Sequence, residues 1–171
     1  MTAIDALDLG FNKNNLLLVT VNTTGTATTS QANGALLDRL GERLRSVPGV
    51  GSLSYARRPP QEFWAMERVR TDGSQETVSA ERNDVGPEYL KVLGVAPVLG
   101  RDLADYERAR TSRRAVISQN LADVLWPGRS ALGRTMRLVS GQGVEVIGVV
   151  PNGFFSGYRR EPRPGFRLSV H

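Results

Sequence analysis

Two rhythms of apolar positions run along this chain, one of strand length and one of helical period. Residues 16–21, LLLVTV, form a short, partly β-branched apolar run behind the polar NKNN, and predict a buried strand. A threonine-rich loop, TTGTATTSQANG, follows. Ser30 or a neighbouring threonine can cap a helix whose apolar residues Ala32, Leu36, Leu37, Leu40, Leu44 and Val47 recur at spacings of three and four. Gly34 and Gly41 lie inside this helix at a cost of about 1 kcal/mol each relative to alanine, so packing must support it; Gly41 is expected to let the helix approach a sheet. Pro48-Gly49 ends the helix, and VGSLSYA at 50–56 alternates as a second strand would.

Arg57-Arg58-Pro59-Pro60 breaks that unit. Beyond it, FWAMERVR and ETVSAERN flank the turn signal Thr71-Asp72-Gly73-Ser74 and predict an antiparallel hairpin. In VGPEYLKVLGVAPVLGRDL, residues 85–103, Pro87 is placed at the first position of a short helix, Glu88 in its first turn and Gly94 at its stop. RDLADYERARTSRR, residues 101–114, is a charged connector. The strand-helix-strand theme then returns. AVIS predicts a strand, Ser118 a cap for the helix QNLADVLW, Pro127-Gly128 a stop, and TMRLVS and VEVIGVV two strands around Gly141-Gln142-Gly143. The residues alone therefore predict an α+β fold in which two strand-helix-strand units flank a hairpin-and-helix insert.

Composition changes this picture little. Hydrophobic residues make up 40% and charged residues 23%, as in ordinary globular chains. The net charge of +5 is carried almost wholly by arginine, since Lys13 and Lys91 are the two lysines. The arginines come as dispersed pairs, Arg57-Arg58, Arg113-Arg114 and Arg159-Arg160, with acids between them, whereas nucleic-acid binders gather their charge in one stripe. No nucleic acid is expected, although a basic module for nucleic acid or another acidic partner stays open as an alternative. No run reaches the roughly 20 apolar residues that span a bilayer, and the N-terminal MTAIDALDLGF lacks the basic and apolar regions of a signal peptide.

The chemistry-bearing residues are sparse. Cysteine is absent and the one histidine is His171, the last residue, so thiolate, zinc-thiolate and histidine-triad chemistry are not expected. GQGVEVIG carries a G-x-G that leads into a strand, where a dinucleotide fingerprint must open a helix. Asp102 with Asp105, or Asp38 with Glu42, would be the carboxylate pair of a hydrolase, the less favoured alternative. No catalytic residue, cofactor or metal is expected. Trp126 is expected in the core. Phe154, Phe155 and Tyr158, in a glycine-rich segment continued by Arg159 and Arg160, are the candidate partner interface.

The order of VGPEYLKVLGVAPVLGRDL, AVISQNLADVLWPGRSALGRTMRL and VEVIGVVPNGFFSGYRREPRP resembles the MacB-like periplasmic core domain of ABC transporter permeases, a family with FtsX-like members and duplicated orphan permeases. Upstream, ALDLGFNKNNLLLVTVN and LLDRLGERLRSVPGVGSLSYA fit the same pattern. Gly86 stands where the family usually has a serine cap, and Gly34 and Gly41 sit in a helix that usually has none. The resemblance implies an extracytoplasmic domain at the bacterial inner membrane, with a porter-like lobe (residues 1–57 and 113–171) and an inserted sabre-like lobe (residues 58–112). It further implies a non-catalytic part that couples ATP-driven motion of membrane helices to export or regulation outside. Its implied partners are the transmembrane helices of the same permease, a separate ATP-binding subunit or domain, and a second permease copy or a periplasmic protein.

Overall fold

Strand pairing closes on itself in this protein. The computed structural model describes residues 11–22, 30–60, 65–104, 113–152 and 164–169. Its elements are α1 (Ser30–Arg45), β1 (Ala65–Thr71), β2 (Val78–Val85), α2 (Tyr89–Val92), β3 (Leu99–Gly100), β4 (Arg113–Ser118), α3 (Gln119–Leu125), β5 (Thr135–Leu138), β6 (Gly143–Val150) and β7 (Gly165–Ser169). The sheet runs β3-β6-β4-β7-β2-β1-β5, and β5 also pairs with β6, so six strands form a closed ring. The eight-residue β6 makes this possible: on one edge it pairs with β5 near Val144 and with β3 near Val149. Its other edge runs parallel to β4.

The inside of the ring follows from alternation. Val69, Ala80, Ala115, Ile117, Met136, Leu138, Val144, Val146, Phe166 and Leu168 all point into one cluster, as period-two strands with one buried face require. Leu121, Ala122, Leu125 and Trp126 of α3 and its end join the same cluster. The sequence places α3 well: Ser118 Oγ accepts from Leu121 N at 3.4 Å as the expected cap, and the stop at Pro127-Gly128 is realised with Gly128 at φ 66°.

A second cluster covers the outside of the ring: Val85, Val116, Ile147 and Val150 under Tyr89, Leu90, Leu93, Val95 and Leu103. Here the local reading needs correction. Pro87 precedes the helix rather than opening it, and Glu88 is left-handed at φ 56° with no side-chain cap. The exposed amides of α2 are satisfied from a distance: Asp102 Oδ2 accepts from Leu90 N at 2.9 Å and Lys91 N at 3.2 Å, while Oδ1 accepts from Leu103 N at 2.8 Å. Asp102 is therefore a helix cap brought in from the next turn of chain.

The N-terminal strands are the larger correction. Residues 16–21 form no strand, and Leu17 and Leu18 are 85% and 61% exposed. Residues 50–55 are likewise unpaired in sheet terms, and Ala56 makes a single bridge to Val85. Both stretches have strand composition but no adjacent edge among the described residues, and a strand without a partner has no ladder to form. The helix α1 forms as expected, yet it does not lie on the sheet: Leu36, Leu37, Leu40 and Leu44 are half-buried and absent from both core clusters. Gly41 faces Leu53, and a Cβ there would meet it at an ordinary 3.6 Å. The expected boundaries at 57/58 and 112/113 mark no break in the sheet, because β1 and β2 pair with β5 and β7.

Candidate interface

Among the described residues, a polar seam joins the N-terminal part to the ring between residues 55–58 and 83–86; Asn12 N also donates to Leu93 O at 2.9 Å, and Phe11, Leu16 and Ala56 pack on the outer cluster. Gly86 N donates to Tyr55 O at 2.7 Å and Arg57 N to Asp84 O at 2.8 Å, flanking the Ala56–Val85 bridge. The Asn83 amide closes the seam by donating to Arg58 O at 3.0 Å and accepting from Arg58 N at 3.3 Å. Gly86 is needed at this spot: a Cβ would lie 2.8 Å from the Tyr55 ring. Gly86 thus lies against an aromatic ring.

The seam is backed by charge. Arg82 grips Asp84 with two nitrogens, at 2.9 and 3.2 Å, and reaches across the hairpin to Glu67 at 3.2 Å; Arg57 approaches Asp84 at 3.8 Å. Burial alone would lower the Arg82 pKa, but hydrogen bonds and charge from Asp84 and Glu67 outweigh it and hold the guanidinium above its ordinary value. Beneath the outer cover, Arg167 is fully buried and its pKa falls to about 9, through burial first, with Tyr89 and Glu81 opposing the fall. Tyr89 is pushed up by the same burial and partly held back by Arg167. Two β2 positions on the seam side, Glu81 and Asn83, are buried polar residues that sequence reasoning passed over. Their signal was weak: ERND reads as an exposed strand end, whereas its ring position makes it a joint.

The sequence-based candidate interface, Phe154, Phe155, Tyr158, Arg159 and Arg160, lies outside the described residues. The chain on either side of it is fixed at the start of α3. Asn152 Oδ1 accepts from Asn120 N at 2.7 Å, and Ser118 Oγ accepts from Gly165 N at 2.9 Å. Ser118 is thus engaged structurally on two sides, as helix cap and as anchor. Trp126 is in the core, as expected. Of the imagined acid pairs, Asp38 and Glu42 are exposed on α1 and Asp102 is the α2 cap; Asp105 lies outside the described residues. Among the described residues no group of three or more histidines, cysteines or acids is placed to hold a metal ion, and no helix is long and apolar enough to cross a membrane.

A sequence model of the MacB-like periplasmic core domain matches residues 2–164. No curated protein matches the chain. Among solved structures, the extracellular domain of the noncanonic ABC-type transporter YknZ from Gram-positive bacteria is similar at TM-score 0.55 and 22% identity, over 77% of this chain and 61% of that one. The periplasmic region of MacB from Actinobacillus actinomycetemcomitans is similar at TM-score 0.53 and 15% identity, over 76% of this chain and 52% of that one. The chain thus spans little more than half the length of these structures, and at such identities they share its α+β fold.

Proposed function

Because the chain belongs to the MacB-like periplasmic core domain family, we propose that it is the non-catalytic, extracytoplasmic part of an ABC transporter permease, and that it converts motion of membrane helices into work on a substrate or partner outside. Family membership over residues 2–164 carries this reading. The seam supports it. The ring is closed by its own ladders. The N-terminal part is attached to it by the hydrogen bonds of the seam, by Asn12 N to Leu93 O and by the packing of Phe11, Leu16 and Ala56, so these contacts can rearrange while the ring keeps its ladders. ATP is hydrolysed by a separate subunit or domain, and the membrane helices of the same permease connect the two. The division into a porter-like lobe of residues 1–57 and 113–171 and an inserted lobe of residues 58–112 remains part of this proposal, with the joint at 55–58 lying at its first boundary. The exposed run at 17–21 and the segment with Phe154, Phe155, Tyr158, Arg159 and Arg160 are the surfaces through which a second permease copy or a periplasmic protein would be engaged.

A disulfide across the joint tests this. Ala56 and Val85 face each other between the two seam hydrogen bonds, the close-approach type of antiparallel pair, which suits a disulfide. The chain has no cysteine to interfere. In the membrane-embedded parent with its ATP-binding partner, A56C/V85C should slow ATP turnover when oxidised and recover it on reduction. Turnover unchanged by a fully formed bridge would reject the coupling role.

A further inference from the structure

An open cleft of about 580 Å³ lies where the chain leaves α3 and enters β5, facing the end of β1. Leu125, Trp126 and Pro127 supply an apolar wall, and Thr71 and Thr135 supply hydroxyls. Two arginines line it, Arg129 and Arg134. Neither is joined to a carboxylate among the described residues. Arg134 is oriented by its Nε, which donates to Ser130 O at 2.7 Å, and this leaves the planar edge of its two η nitrogens for another acceptor. The one acid in the cleft, Asp72, is engaged by Arg137 Nε. The cleft therefore carries a surplus of positive charge on a pre-oriented donor, beside a non-polar surface.

We infer that this cleft is a docking site for an acidic peptide segment, with a glutamate or aspartate carboxylate across the Arg134 fork and Arg129 as a second donor. A planar carboxylate matches two parallel N–H donors. The apolar wall takes the methylene stem of the side chain and the peptide beside it. Asp72 in the same cleft disfavours a doubly charged phosphate more than a singly charged carboxylate. The chain's net charge of +5 favours such a partner at long range. This site is separate from the seam and does not depend on the coupling role.

The test uses the whole 171-residue chain and a dye-labelled hexapeptide of alternating glutamate and glycine, read by fluorescence anisotropy at low salt. The peptide should bind, and added salt should weaken binding. The R129Q/R134Q variant should weaken it at least about tenfold. R134K should weaken it too, because the charge remains but the fork is lost. R43Q, on the exposed side of α1, should leave it unchanged. R129Q guards against a folding artefact, since the Arg129 side chain makes no hydrogen bond among the described residues, and it should weaken binding by itself with an unaltered melting curve. Equal binding of the glutamine counterpart, retention of affinity in R129Q/R134Q, no binding by the wild type, or full displacement by equimolar inorganic phosphate would each overturn the inference.

Discussion

Asp102 shows how one carboxylate can set a local structure from twelve residues away. Burial raises its pKa, and the amides of Lys91, Leu103 and Leu90 work against that rise; the neighbouring Glu88 charge adds to it. The net shift is upward, so the folded state holds the proton more tightly than the unfolded chain. Stability from this group therefore increases as pH falls from neutrality through the folded pKa towards the ordinary aspartate value, and decreases again on returning to neutral pH. Relative to D102N, which cannot titrate, the wild type should gain stability over that acid window; urea titrations at two pH values would show it, and a gap that closes on acidification would refute the assignment. Removing the cap with D102A should cost about 1 kcal/mol at neutral pH. None of this was legible in the sequence. Pro87, Glu88 and Gly94 carry ordinary helix punctuation, but the residue that satisfies the α2 amides lies beyond a turn, and local rules cannot reach it.

Among the elements, those read correctly are those whose signals are local. The strand β4, the Ser118 cap, α3, the Pro-Gly stop and the β5–β6 hairpin follow one another with few residues between, and each is specified by its own neighbours. The runs at 16–21 and 50–55 were misread because apolar, β-branched composition says what a strand is made of and nothing about whether an edge waits for it. The candidate interface was legible only as a composition of aromatics and arginines, while the seam residues Asn83, Asp84 and Gly86 become a joint only once the ring brings them to residues 55–58. The helix α1 shows the same limit. Its period was clear, but its burial was not. A Cβ at Gly34 meets nothing within 4 Å, so G34A should raise stability by about 1 kcal/mol through helix propensity alone. Half-buried Leu44 should cost less on truncation to alanine than the 2–5 kcal/mol of a core leucine. Thermal melts decide both, and a loss of core size at Leu44 would return α1 to the sheet.

Over the whole molecule, the ring and the N-terminal part should differ in protection. The amides of β4, β6 and β7 are hydrogen-bonded within buried strands, so they should be the last to exchange with deuterium, near the global unfolding limit. Residues 17–21 make no backbone hydrogen bond among the described residues and should exchange within the dead time. Strong protection there in the isolated chain would mean that the run has found a strand partner.

The closure of the sheet has a mechanical meaning as well. An open sheet under tension can be unzipped from a border strand, one rung after another. A loop of strands offers no such border, so a pull arriving at residue 56 is shared around the circumference and has to shear several ladders together. Under the proposed coupling role, such a hoop would stay rigid while the bonds beside Val85 yield and re-form.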